Sequence, residues 1–150
     1  MEQRIPPQNV EAEQAVLGAM LLSHDAVIVA MEKLQSQDFY RDVHRIIFEA
    51  IISLTNRHIP VDPIALADTL KSTGQLEAVG GRAYLAELAD NTFSLTSWER
   101  HVDIVKRQSI LRELVFAATQ INALAYDAPD DLDQVVEEAE KTLFNVTEKR

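Results

Sequence analysis

Residues 97–126 read SWERHVDIVKRQSILRELVFAATQINALAY, and residues 132–146 read LDQVVEEAEKTLFNV. Ser97 carries the side-chain oxygen that an N-cap needs. The first stretch therefore predicts a helix from Trp98 to about Tyr126, ~44 Å long at ~1.5 Å per residue. Along it Leu111, Leu114, Ala118, Ile121 and Ala125 recur at alternating steps of three and four, the rhythm of a heptad seam. Leu132, Val136, Ala139, Leu143 and Val146 repeat that rhythm in a shorter helix. Between the two, Asp127-Ala128-Pro129-Asp130-Asp131 breaks the chain and offers acids to cap the second helix. So short a connection between two heptad-patterned helices predicts an antiparallel hairpin. The shorter arm reaches back only to about Lys106, which leaves residues 98–105 to root the hairpin on the preceding part of the chain.

Two helices cannot bury all of this apolar surface between themselves. Beside the expected seam, the first arm carries Ile110, Val115, Phe116 and Leu124, and the second carries Val135 and Phe144. Single exposed apolar residues are ordinary, but a set this large predicts a second contact surface, and its natural partner is another copy of the chain.

Upstream, the pattern is again helical. Arg4-Ile5-Pro6-Pro7 must be extended, because proline restricts the residue before it and donates no backbone hydrogen bond. Asn9 can cap a helix running through Ala15, Val16, Ala19 and Met20 to about Leu22, with Glu11 and Glu13 in its first turn. Asp25 is placed to cap a second helix ending near Leu34. Val43, Ile46, Ile47, Ala50, Ile51 and Leu54 form one apolar stripe at helical spacing, the clearest in the chain. Asp62-Pro63 reads as an N-cap followed by proline at the first helical position, and Gly74 stands where that helix should stop. Gly80-Gly81 punctuates the chain before a short helix with Tyr84, Leu85 and Leu88. No stretch alternates as a strand would. The expected architecture is all-α: a compact multi-helix globular head over residues 1–96, then a long antiparallel helical hairpin over residues 97–150.

Composition narrows the function. The chain has 150 residues, enough for one domain with a buried core, and no cysteine, which removes disulfides and thiolate chemistry. No apolar run approaches the ~20 residues of a membrane span, and the polar, acidic N-terminus is unlike a signal or transit peptide, so the cytoplasm is the expected location. The net charge of −10 has the wrong sign for gripping phosphate backbones. Residues 1–96 hold 7 Lys and Arg against 13 Asp and Glu, and residues 97–150 hold 7 against 11. The longest basic grouping, Lys106-Arg107 with Arg112 nearby, reads as a solvated helix flank.

Signals for catalysis are weak. A phosphate loop needs glycines leading into a lysine, and none of Gly18, Gly74, Gly80 or Gly81 is followed by one. His24, His44, His58 and His101 lack the i, i+4 pairing of a helical zinc site. His44 near Asp42 and Glu49 reads as a flank histidine rather than a metal ligand. Glu11 and Glu13 are two residues apart, which puts them on different sides of a helix. Serine, histidine and aspartate are plentiful, but nothing selects a triad among them. No catalytic, cofactor or metal site is expected.

The run Ile5-Pro6-Pro7-Gln8-Asn9-Val10-Glu11-Ala12-Glu13-Gln14-Ala15-Val16-Leu17-Gly18-Ala19-Met20-Leu21 resembles the opening signature of DnaB-type replicative DNA helicases. Asp38-Phe39-Tyr40, His44, Ile47-Phe48, Ala50, Pro60-Val61-Asp62, Leu76-Glu77, Gly80-Gly81 and Tyr84-Leu85 continue it in order. Ser109, Arg112, Leu114, Ile121 and Ala125-Tyr126 carry it into the hairpin. The resemblance departs where family members often have Pro-x-Ala-Ala-Asn before the long helix and this chain has Phe93-Ser94-Leu95-Thr96-Ser97. It departs again where a usual Tyr-Ala is His101-Val102. The family's ATPase domain has no counterpart here, and Lys149-Arg150 falls about where its linker to the motor begins.

The resemblance implies an N-terminal collar domain that assembles as dimers or a trimer of dimers on a hexameric ATPase ring and recruits primase. ATP and Mg would belong to the motor and none to this chain, so the stretch alone would not be an enzyme although its parent would be an ATP-dependent helicase. Primase docking in the family centres on the hairpins, which makes Tyr84, Val115 and Ile121 the contact candidates. A helicase loader is a further possible partner, and single-stranded DNA would meet the parent ring rather than this domain. Two other classes remain as alternatives: a stand-alone helical adaptor or DNA-binding regulatory domain, which the acidic charge opposes, and a small all-helical metal-dependent hydrolase.

Overall fold

A helix leaves its first backbone N–H groups without partners, and the chain meets that demand with a polar side chain at most of its helix starts. The computed structural model describes residues 4–90, 94–127 and 130–150. Asn9 Oδ1 accepts from the Ala12 N–H at 2.9 Å and opens α1 (Val10–Leu22). Ser23 Oγ accepts from the Ala26 N–H at 3.4 Å and opens α2 (His24–Lys33). Ser23 also ends α1, so one extended residue serves both helices, and Asp25, expected as the cap, lies inside the first turn of α2. A short 3-10 turn, Ser36–Asp38, comes next, with the Asp38 carboxylate accepting from the Gln35 N–H at 2.7 Å.

α3 (Asp42–Asn56) carries the apolar stripe read from the sequence, with Ile47, Phe48, Ile51 and Leu54 buried. Asp62 Oδ1 accepts from the Ala65 N–H at 2.7 Å, with Pro63 first in α4 (Pro63–Ser72), as expected. Gly74, at φ +73°, ends that helix in the left-handed conformation glycine adopts at least cost. Gly80 (φ +105°) and Gly81 (φ +68°) then turn the chain into α5 (Gly81–Asp90). α6 (Ser94–Tyr126) leaves helical geometry at Ser97 (φ −135°, ψ 16°), the residue expected to cap the long helix. Asp131 accepts from the Gln134 N–H at 3.2 Å and opens α7 (Leu132–Thr147). Among the described residues there is no strand.

The chain divides into two compact units. The first spans Asn9–Lys106 and is built around α1, which packs against α2, α3 and α5 while α4 joins α3 to α5. α1 is buried on nearly every side from Ala12 to Leu21, as a central helix must be. Phe39, Phe48, Leu66, Leu70, Leu85 and Leu88 complete the core, and Val102 and Val105 of α6 lie in it with Trp98 packed against it. Lys33 pairs with Asp103 and Lys106 with Asp38, each at 3.5 Å. The root of the long helix therefore belongs to this unit, and the division falls after Lys106.

The second unit contains residues 4–8 and Arg107–Arg150. Its two arms run antiparallel: Lys149 Nζ lies 3.2 Å from the Glu113 carboxylate, and a groove is lined by residues 120–127 of one arm and 138–145 of the other. Arg112 Nη1 donates to the Pro7 carbonyl at 2.9 Å, tying the extended N-terminal segment to the hairpin.

The seam between the arms is the expected one only in part: Ile121, Ala139 and Val146 belong to it, as expected, and other members differ. Ala117 and Val146 are buried, and Ile110, Ile121, Leu124, Val135 and Ala139 are half-buried, so these positions face the other arm. Leu114, Val136 and Leu143, expected in the seam, are 38%, 45% and 46% exposed, and Ala118 and Leu132 are exposed too. Both sets satisfy the three-four rhythm, because apolar residues cover two adjoining stripes of each helix. Periodicity alone cannot tell which stripe turns inward.

Candidate interaction surface

The hairpin presents two different faces outside its seam. On α6, Leu111, Leu114, Val115 and Ala118 stand at i, i+3, i+4 and i+7, one helical flank. On α7, Val136, Leu143 and Phe144 stand at i, i+7 and i+8. Val115 is 54% exposed and Phe144 61%, so this flank is an apolar strip open to solvent. Phe116, 63% exposed, lies on a different stripe with Gln120, Ala123 and Asp127, which line the groove between the arms. Of the six residues expected to serve self-association, Val115, Phe116 and Phe144 are outward. Ile110, Leu124 and Val135 are half-buried, on the same stripes as the buried Ala117 and Val146. Ile121, a candidate contact, is half-buried there as well.

Tyr84, the third contact candidate, belongs to a polar cluster in the other unit that sequence reasoning missed. Glu13 and His44, each almost fully buried, lie with His44 Nδ1 2.7 Å from Glu13 Oε1. The Glu13 carboxylate also accepts from the backbone N–H groups of Tyr40 at 2.6 Å and Arg41 at 3.4 Å, at the entry to α3. Arg41, the N-cap of that helix, makes no side-chain capping bond, so a carboxylate from α1 holds the turn instead. His44 Nε2 lies 2.7 Å from the Tyr84 hydroxyl, which also accepts from Gln14 Nε2 at 3.1 Å. The His44 and Tyr84 rings stack at 6.1 Å with 9° between their planes.

With the imidazole neutral, every partner has one consistent role: the carboxylate only accepts, so Nδ1 donates to it and Nε2 accepts from the phenol. The cluster thus joins α1, α3 and α5 with its buried polar atoms partnered, the condition under which burying them is tolerable. His44, expected on a helix flank, is in the core. The signal that could have found the cluster was Glu13 itself, a charged residue in a helix whose apolar residues surround the whole circumference.

Elsewhere, a cavity of about 640 Å³ is lined mainly by apolar residues, among them Met20, Leu21, Val27, Ile59 and Val61, with His24 and His58 at its wall. Among the described residues no group of His, Cys, Asp and Glu is arranged to hold a metal ion. No helix there is long and apolar enough to cross a membrane.

A helical unit with an internally partnered polar core, joined in one chain to a helical hairpin with an exposed apolar flank, makes an all-α module of two units. Comparison with known proteins places that module. The model of the DnaB-like helicase N-terminal domain matches residues 5–107. The replicative DNA helicase DnaB of Geobacillus stearothermophilus is 40% identical over 148 residues, covering 99% of this chain and 33% of that protein. The replicative DNA helicase DnaC of Bacillus subtilis (strain 168) is 40% identical over 150 residues, covering 100% of this chain and 33% of that protein. The crystal structure of the N-terminal domain of the Mycobacterium tuberculosis DnaB helicase superposes with a TM-score of 0.88 at 35% identity, covering 94% of this chain and 99% of that one. A solved DnaB-like replicative helicase, described with its interactions with primase, superposes at 0.77 and 25% identity over 95% of this chain and 32% of that one. The chain belongs to the DnaB-like helicase N-terminal domain family. It spans about a third of the length of the full helicases it matches.

Proposed function

We propose that this domain is the collar of a replicative helicase, assembling with copies of itself as dimers or a trimer of dimers and recruiting primase to the ring. The observation that carries the reading is the uncovered apolar flank of the hairpin, Leu114 and Val115 on one arm and Val136, Leu143 and Phe144 on the other. Such a strip fits a second hairpin at the spacing of a helix bundle. In this reading ATP, Mg and translocation on single-stranded DNA belong to a motor domain of the parent protein. This chain alone hydrolyses no ATP, and the parent acts in the cytoplasm, with a loader as a further partner.

Primase recruitment draws support from the DnaB-like helicase described with its interactions with primase. Val115 is the best placed of the three contact candidates, being on the outer flank. Tyr84 would act through the packing of α5, since its hydroxyl is engaged with His44 and Gln14. Ile121 would act through the seam. The test is affinity for the helicase-binding domain of the cognate primase. Val115→Asp should weaken binding at least about tenfold, in line with an apolar anchor, with circular dichroism unchanged; because Val115 also lies on the self-association flank, affinity is compared at the same solution mass for both proteins. If Val115→Asp and Tyr84→Ala both stay folded, keep the parent's mass and bind primase as tightly as the parent, the contact lies elsewhere.

A further inference from the structure

The opposite face of the hairpin is chemically distinct from the flank assigned to self-association. Between the arms runs a groove of about 560 Å³, with Leu124 and Ala123 among its lining residues and Asp127 and Glu138 on its two walls. Phe116 extends the same helical stripe by one turn beyond Gln120 and is largely exposed. The charged residues lining the groove are two carboxylates, Asp127 and Glu138, against one ammonium, Lys141. Residues 113–140 hold eight acidic residues and no lysine or arginine, although Glu113 is paired with Lys149. α6 ends beside the groove with no basic residue in its last turn, so its carbonyl-bearing, negative end adds to the carboxylates.

We propose that this groove is a docking site for a basic amphipathic helix of a partner protein, with apolar side chains on Phe116 and Leu124 and lysines or arginines on Asp127 and Glu138. A second copy of this chain is the wrong occupant, because it would bring its own carboxylates against these. The groove is also on the other side of the hairpin from the Leu114–Val136–Leu143 flank, so one hairpin takes a like copy on one face and a basic partner on the other. The proposal deepens the recruitment reading, on which it rests, by naming the chemistry of the recruited segment. Charge complementarity of this kind sets association rate and selectivity and makes binding fall with salt.

The test uses the whole chain and three fluorescent peptide probes: a helix with one leucine and one lysine face, the same helix with glutamate for lysine, and a lysine helix without leucine. The leucine–lysine probe should bind with amide shifts concentrated in residues 116–145. Its affinity should fall at least about fivefold as salt rises from roughly 0.01 to 0.1 M, where the screening length drops from ~30 to ~10 Å. Phe116→Ser and the pair Asp127→Asn with Glu138→Gln should each lower affinity about fivefold with helicity retained, while Leu143→Ser on the other flank should leave it unchanged. Equal binding of the glutamate probe, or of the lysine probe without leucine, overturns the proposal. So does indifference to the Phe116 and Glu138 variants. A loss of self-association in Phe116→Ser, without probe binding in the parent, would assign the groove to a second copy instead. Primase binding that persists when no probe binds would overturn this chemistry and leave the recruitment reading standing.

Discussion

Glu13 shows how much one residue can decide. Its carboxylate serves the entry to α3, His44 and, through His44, Tyr84. Glu13→Gln keeps the shape but removes the charge from hydrogen bonds that are worth ~1.5–3 kcal/mol each when one partner is ionised. We expect a loss of about 2 kcal/mol in urea unfolding, with the fold retained. Tyr84→Phe should cost ~1–2 kcal/mol, because it strips a partner from both His44 and Gln14. The two losses should not add, since both substitutions act on one network; additivity within ~0.5 kcal/mol would mean that the cluster does not act as a unit. Gly80 poses a steric version of the same question. A Cβ there would lie 2.8 Å from the Tyr84 Cβ at φ +105°, whereas one at Gly74 meets nothing within 4 Å. Gly80→Ala should therefore destabilise by more than Gly74→Ala, whose cost is that of the left-handed conformation alone, ~1 kcal/mol. Equal melting temperatures for the two variants would contradict the clash.

At the scale of elements, local chemistry was readable in the sequence where it is contained in a few neighbouring residues. Asn9 and Asp62 with Pro63 cap the helices they were expected to cap, and Asp131, one of the acids offered by the 127–131 break, caps α7, because an N-cap and its donor lie three residues apart. The exception tells why boundaries are harder. Ser23 and Asp25 are both good caps, and which one is used depends on where α1 stops, which is set by packing around α1 rather than by Asp25's neighbours. Ser23→Ala should cost ~1 kcal/mol and Asp25→Ala only a few tenths; the reverse order in thermal melts would put the cap back on Asp25. The Glu13–His44–Tyr84 cluster was beyond reach for a related reason. Its members lie 31 and 40 residues apart along the chain, so no spacing rule joins them. The hairpin was legible as two antiparallel helices, but its seam only in part, at Ile121, Ala139 and Val146, since the stripe through Ile110, Ala117 and Leu124 and that through Leu111, Leu114 and Ala118 are both apolar.

At the scale of the whole molecule, that double apolar coverage becomes a prediction about assembly. A hairpin that only had to fold would place charge at Leu114, Val136 and Leu143, which are more than a third exposed. Each such side chain, once fully covered, contributes ~1.5–3 kcal/mol, so a handful on each of two copies can offset the translational and rotational cost of association, estimated at ~4–15 kcal/mol. Leu143→Asp replaces an apolar group at the centre of the strip by a charge that would have to be desolvated on assembly. It leaves the intramolecular seam of Ile110, Ala117, Val135 and Val146 untouched. The expected outcome is a shift toward monomer by at least about tenfold in dissociation constant, with far-ultraviolet circular dichroism unchanged. Ala117→Asp should do the opposite, losing hairpin helicity first, because Ala117 is buried between the arms. Sedimentation over a range of concentrations separates the two. If the parent chain stays monomeric at the highest concentration, or if Leu143→Asp associates as the parent does, the flank is not an interface of this domain by itself, and assembly must depend on surfaces outside it.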